Sequence, residues 1–205
     1  MPETKEIDVM ESVYDKNELV AKKTNGKLTK KGIFAVNVMG SPGAGKTSSL
    51  KRITEKIGDV TPYVIEGDIE SDIDTKALNS LGIQTIQINT GGACHLDSPL
   101  IEDAVNDLDV SNGVLFIENI GNLVCPAEFE IGEHVKMLIS TTTEGSDKPY
   151  KYPLAFEKAD IILINKCDLI PYVDFDEEYF MKGVRALNPT APVFRVSAKN
   201  DEGYE

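Results

Sequence analysis

Gly40-Ser41-Pro42-Gly43-Ala44-Gly45-Lys46-Thr47 decides how this chain is read. The eight residues follow a β-branched run, Ile33–Met39. They open a stretch with helical spacing, Thr47–Ile57, which carries Leu50, Ile53 and Ile57. Strand, glycine-rich bend and helix in that order are the context a phosphate-binding loop requires. Glycines let the backbone curl until successive N–H groups point at one anion, and the helix N-terminus adds positive potential. Gly40, Gly43, Ala44 and Gly45 make the cradle, and Ser48 extends it. Lys46 brings a mobile cation to the β and γ phosphates, while the Thr47 hydroxyl suits Mg²⁺. A match to this pattern arises by chance in about one chain of this length in a hundred, and the flanking strand and helix lower that further. The sequence predicts a bound nucleoside triphosphate.

Outward from this loop, two kinds of segment alternate. Short apolar runs recur at Tyr63–Glu66, Gln84–Asn89, Val114–Glu118, Val135–Ser140, Ile161–Asn165 and Val193–Val196. Several are apolar almost throughout, as strands buried on both faces of a parallel sheet are. Between them lie helical spacings at Pro99–Leu108 and Phe175–Leu187. The alternation implies βαβ crossovers. The expected fold is α/β, a doubly wound, mainly parallel seven-stranded sheet in three α/β/α layers, of the P-loop NTPase kind. Glu6–Lys23 has Val9, Val13 and Val20 at helical intervals and a stop signal near Asn25–Gly26. Residues 1–31 therefore read as an amphipathic helix and linker packing on the core, and 32–205 as the nucleotide-binding domain. No closing helix follows the last strand before Glu205.

Of the 205 residues, 41% are hydrophobic, enough for one core of ordinary size. Lys and Arg number 21 against 34 Asp and Glu, a net charge of −13. That balance argues against nucleic acid and against an anionic membrane surface, both of which need a basic face. The longest apolar runs fall far short of the roughly 20 residues needed to span a bilayer, and Met1–Asp8 lacks a signal-peptide core. Three Cys, an odd number at wide spacing, make no disulfide framework. The class these features describe is a soluble, acidic, cytoplasmic protein.

Asn165-Lys166-Cys167-Asp168 stands just after a strand, where parallel sheets present ligand loops. The Asp168 carboxylate can accept both the N1–H and the amino group of guanine, a donor pair that adenine lacks. Lys166 can lie along the base, and Ser197-Ala198-Lys199 after the last strand can close over it. The nucleotide expected is GTP. Hydrolysis also needs acids around Mg²⁺ and water. Asp68, Asp74 and Glu118 lie at or just past strand ends, and Glu118 leads into Gly121, placed to sense a γ-phosphate. Arg52, Arg185 and Arg195 fall in a helix, a helix and a strand, so no arginine finger is evident and intrinsic turnover is expected to be slow.

Two His and three Cys complete the inventory. Cys94-His95 follows the strand Gln84–Asn89, and Cys125 lies four residues past Gly121. Thiolate and imidazole together suit Ni²⁺ or Zn²⁺. From the residues alone two readings stay open. One is a three-ligand site completed by water or by a second chain across a two-fold axis; the other is two ordinary thiols and a polar loop histidine. His134, before a strand, reads as structural, and Cys167 as a packing residue.

Gly91-Gly92-Ala93-Cys94-His95-Leu96-Asp97-Ser98-Pro99 and Phe116-Ile117-Glu118-Asn119-Ile120-Gly121-Asn122-Leu123-Val124-Cys125-Pro126 together resemble a known family, the HypB nickel-insertion GTPases of hydrogenase maturation. With the phosphate loop, Glu66-Gly67-Asp68, Ser140-Thr141-Thr142 and Asn165–Asp168, the resemblance runs from about Gly32 to Lys199. It implies a GTP-hydrolysing metallochaperone that dimerises with GTP. Cys94, His95 and Cys125 of both chains would form a Ni²⁺/Zn²⁺ site at the interface, with Asp74 as the first-switch acid and Lys46 as the essential phosphate contact. It also implies a nickel-accessory protein and a hydrogenase large-subunit precursor as partners. The related urease-accessory GTPase is not expected to carry this Cys-His and Asn-Leu-Val-Cys-Pro pairing. Many members hold an N-terminal cysteine motif or histidine-rich stretch; Met1–Lys31 has neither Cys nor His, so tighter nickel binding or storage is not expected there. Two rivals remain to be weighed. A small-molecule kinase would need a basic acceptor pocket and an Arg-bearing lid, and a nucleotide-gated binding module would hydrolyse only incidentally.

Overall fold

The β-branched runs become the strands of one sheet. A computed structural model of the chain describes residues 9–68 and 78–205, and the side chains of 15–67 and 78–205. Strands β1 (Ile33–Gly40), β2 (Thr61–Asp68), β3 (Gln84–Asn89), β4 (Gly113–Glu118), β5 (Val135–Thr141), β6 (Ile161–Asn165) and β7 (Val193–Arg195) run in the order β3-β2-β4-β1-β5-β6-β7. Every neighbouring pair is parallel. All strand carboxyl ends therefore share one edge of the sheet, where ligand loops gather in such folds.

Alternation along each strand sorts the core onto two faces. Ile33, Ala35, Ile65, Leu115 and Ile117 point to one face and bury Leu28 of helix α1 (Val9–Lys30) and Ile101 and Val105 of α3 (Ser98–Asp107). Val36, Val38, Val64 and Phe116 point to the other and bury Leu50 of α2 (Lys46–Lys56). A third cluster, with Leu138, Ile162 and Ile164, packs Phe156 of α6 (Pro153–Lys158) against Phe180 of α7 (Glu177–Leu187). Fully burying each such side chain stabilises by about 1.5–3 kcal/mol. Helices begin where caps stand: Asp97 accepts from the Leu100 N–H at 3.0 Å, and Asp176 from that of Tyr179 at 2.9 Å.

Two expectations need correction, and several short elements carried none. Helix α1 does not stop near Asn25–Gly26 but runs to Lys30. The Asn25 amide donates to the carbonyls of Gly132 and Glu133, so tertiary bonds override the local stop, and Gly32 at φ +71° ends the helix instead. The stretch from Phe175 becomes helical only at Glu177, past the Asp176 cap. Three helices of four to six residues, α4 (Cys125–Glu128), α5 (Lys148–Lys151) and α6, had no sequence signal, being too short for a repeat to show. The same holds for the 3₁₀ turns Thr142–Glu144 and Cys167–Tyr172. Among the described residues no helix is long and apolar enough to cross a membrane.

Candidate functional site

The predicted phosphate loop leaves β1 at Gly40 and enters α2 at Lys46, with Gly45 at φ +88°, a left-handed turn that glycine takes at no steric cost. A side chain at Gly45 would also collide with the Asn165 amide. Among the described residues no side-chain hydrogen bond caps α2 at Gly45, and a helix N-terminus opening from such a bend carries positive potential towards an anion. The loop forms one wall of a cavity of about 570 Å³ whose other walls are Glu66, Gly67, Glu118–Gly121 and Lys166. Lys46 is 9% exposed, Glu66 3% and Glu118 6%. Glu66 and Glu118 stand side by side in the register of β2 and β4. The Thr47 hydroxyl donates to Glu118 Oε1 at 2.9 Å, bringing two hard oxygens together beside the loop.

A second cavity, about 330 Å³, shares Gly45, Ser48 and Lys166 with the first and adds Asn165, Asp168, Leu169, Ala198 and Lys199. Phosphate-type and base-type residues thus line adjoining spaces. Asp168 Oδ1 accepts from the Ser197 hydroxyl at 2.6 Å. Asn165 acts as a brace: its amide donates to the Ala44 carbonyl at 3.0 Å, and its oxygen accepts from the N–H groups of Lys166 and Ala198. Lys166, at φ +60°, reaches the Gly43 carbonyl with Nζ at 2.8 Å. One polar residue therefore ties all three ligand loops, a role its motif alone did not reveal. Asp68 ends β2 opposite Asn89, but its side chain and the whole of Asp74 lie outside the described residues.

The thiols and the imidazole meet. The ligand atoms of Cys94, His95 and Cys125 all lie within 4.8 Å of one another. Cys94 Sγ stands 3.3 Å from both His95 Nδ1 and Cys125 Sγ. Cys94 is exposed on the loop after β3, and Cys125 opens α4. The sharing of a proton with Cys94 pushes the Cys125 thiol up, burial adding to it. Burial holds the His95 pKa below its ordinary 6.5 against the carboxylates of Asp97 and Glu128, so the ring is neutral and able to ligate at pH 7. The Phe129 ring stacks on His95 with centroids 4.3 Å apart, a contact the sequence did not suggest.

The remaining residues fall as expected. His134 accepts from the Ala35 N–H at 2.9 Å and pairs with the Thr29 hydroxyl, a structural wedge before β5. Cys167 donates to the Ile164 carbonyl and packs, burial raising its pKa. Arg52 Nε is held by the Ala198 carbonyl, Arg185 by Ala191, and Arg195 faces Glu177.

Residues 34–195 match the family model described as CobW/HypB/UreG, nucleotide-binding domain. The hydrogenase maturation factor HypB of Azotobacter vinelandii is 42% identical over 99% of this chain and 68% of its own length. That of Escherichia coli K12 is 40% identical over the whole of this chain and 71% of its own. Among solved structures, HypB from Helicobacter pylori in complex with nickel superposes with a TM-score of 0.88, at 34% identity over 92% of this chain and 90% of that one. HypB from Archaeoglobus fulgidus gives 0.86 at 35% identity, over 93% and 94%. With its seven-stranded parallel sheet, a nucleotide-type crevice and these similarities, the chain belongs to the HypB family of hydrogenase maturation factors.

Proposed function

We propose that the protein is a GTP-hydrolysing metallochaperone that carries nickel, or zinc in its place, and releases it for hydrogenase maturation. One observation carries this reading: the segment Glu118–Cys125 lines the phosphate cavity at its start and supplies a thiol to the Cys94–His95–Cys125 cluster at its end. Residues 32–205 would be the GTPase domain, with 1–31 packed on it.

Triphosphate binds across the Gly40–Ser48 cradle, with Lys46 on the β and γ oxygens. Asp168, oriented by Ser197, selects guanine, while Lys166, Ala198 and Lys199 flank the base. The Thr47 hydroxyl and Glu118 carboxylate, 2.9 Å apart, fit Mg²⁺, a hard cation that prefers oxygen; Asp68 and Asp74 supply further acids. When bound, Mg²⁺ would neutralise charge developing on the phosphate oxygens. The three arginines are engaged elsewhere, which supports slow hydrolysis of GTP to GDP and phosphate without a partner.

Nickel is the cargo. Two thiolates and a neutral imidazole give a soft, three-cornered set that leaves coordination open. A second copy of the chain would complete it in a dimer driven by GTP and metal. That the relatives are hydrogenase maturation factors, and that HypB from H. pylori is seen in complex with nickel, supports delivery to a nickel-accessory protein and a hydrogenase large-subunit precursor.

The test is nickel affinity measured with a non-hydrolysable GTP analogue and with GDP, alongside dimerisation. Wild type is expected to differ at least about fivefold between the two, the lower end of ordinary allosteric coupling, and Cys125→Ala to lose the metal-dependent dimer. Equal affinities, with wild-type dimerisation in Cys125→Ala, would sink the proposal.

A further inference from the structure

We propose that Asn119 and Asn122 form a two-point clamp that passes the state of the nucleotide to the metal ligands; this rests on the coupling of GTP to nickel put forward above. The two residues flank Ile120 and Gly121 on the segment wedged against the phosphate loop. A side chain at Gly121 would come within 2.8 Å of Pro42, and Asn122 pairs with Gly40 in an antiparallel bridge. Any shift of Gly121 towards or away from a third phosphate therefore moves both asparagines.

Their side chains reach the other way, to the metal loop. Asn119 Oδ1 accepts two N–H groups at once, that of Ile120 at 3.0 Å and that of Leu96 at 3.1 Å. Asn122 Nδ2 donates to the Cys94 carbonyl at 3.2 Å, while its oxygen accepts from the Val124 N–H at 2.9 Å. His95 is thus bracketed: the residue before it hangs on Asn122 and the residue after it on Asn119. Cys125 is reached through Val124. Each ligand is either gripped or adjacent to a gripped residue.

Asn119 cannot turn freely to absorb a displacement. It is completely buried, and its Nδ2 donates to Asn37 Oδ1 at 3.2 Å. Asn37 in turn donates to Glu133, which pairs with Lys136 at 2.9 Å. Lys136 Nζ then donates to the carbonyl of Phe129, whose ring lies on His95. The chain of bonds thus ends at the residue whose ring stacks on the imidazole. A buried carboxamide fixed on both sides transmits a shift of Ile120 to Leu96, because a shift of one alone would leave a buried N–H unpaired.

Neither asparagine is among the metal-ligand cluster, and both act as positioning residues; Asn119 also lines the phosphate cavity, whereas Asn122 lines neither cavity. The readout is the ratio of nickel dissociation constants with GDP and with the GTP analogue, measured by chelator competition on the full chain. Wild type is expected to show a ratio of at least about five. Asn122→Ala, at a half-buried position, is expected to bring it within twofold of one while nickel still binds at the wild-type stoichiometry. Nickel should then also lose its effect on analogue affinity by the same factor. Asn119→Ala is expected to do the same where it folds, and Asn122→Ala decides alone where it does not. Should folded Asn122→Ala keep the wild-type ratio, both dissociation constants moving together or not at all, the clamp is overturned and the coupling stands. A wild-type ratio of one overturns both.

Discussion

Lys46, Glu66 and Glu118 are almost wholly buried at the carboxyl edge of the sheet, whereas Cys94 stands exposed on a loop whose Gly91 and Gly92 both have positive φ. The phosphate end takes its geometry from strand register and a helix N-terminus. The metal end takes its geometry from a handful of side-chain hydrogen bonds onto a loop. Backbone built into a sheet moves little, while a loop hung on two amides shifts with whatever holds them. A sensor is best rigid, and a grip that must let go is best adjustable.

The sharpest way to break this contrast is at its rigid end. On the proposed site, Lys46→Ala would remove a cation placed for charge-assisted bonds to two phosphates, each of about 1.5–3 kcal/mol. GTP affinity is expected to fall at least about 100-fold in an equilibrium titration, and the GTP-analogue effect on nickel should vanish. A protein that still binds GTP normally would remove the phosphate site altogether. Asp168→Asn comes next. The new amide offers a donor where guanine also offers donors, so guanine affinity should drop about 10–100-fold, while xanthine, with an oxygen in place of the amino group, should gain. Unchanged guanine preference would take the base pocket away from Asp168. At the adjustable end, Cys94→Ser replaces a soft ligand by a hard one. Nickel affinity is expected to fall more than the about 10–100-fold that losing a residue behind a ligand costs, with GDP affinity unmoved. If GDP affinity fell in step, the two ends would be one structure rather than two.

How far the chain could be read ahead of its structure follows the same division. The strands were legible to within a residue or two, because burial on both faces writes short, near-continuous apolar runs such as Ile33–Met39 or Ile161–Asn165 that need no knowledge of neighbours. The phosphate loop was legible because its chemistry demands glycines at set spacing. Helix α1 ran past Asn25–Gly26 because the partners of Asn25 lie 107 and 108 residues away, where no local signal exists. The metal cluster was legible by residue type, but its closure was not. Nothing in the spacing of Cys94 and Cys125 states that β3 and β4 end with β2 between them, bringing the two loops together. Phe129 under His95, and the amides of Asn119 and Asn122, were invisible for the same reason. Asn122 stands in the sequence only as one residue of a motif, and its contact with Cys94 is a fact of tertiary structure.

The finest test of the contrast compares two helix caps. Asp97 caps α3 two residues past His95, and Asp176 caps α7 against the third core cluster; both accept an N–H three residues on, at 3.0 and 2.9 Å. Removing either should cost about 1 kcal/mol, a fall in Tm of about 2–4 °C for a chain of this size. Their effects on metal should differ. Without its cap the first turn of α3 loosens beside Leu96, the residue that Asn119 holds next to His95. Asp97→Ala is expected to weaken nickel a few-fold, while Asp176→Ala leaves it unchanged despite the same thermal loss. A change in His95 protonation does not account for this: burial already holds His95 below 6.5, and a nearby carboxylate can only raise it, so removing Asp97 keeps the ring neutral at pH 7. Equal nickel affinities in the two variants would mean that the loop is as rigid as the sheet edge beside it.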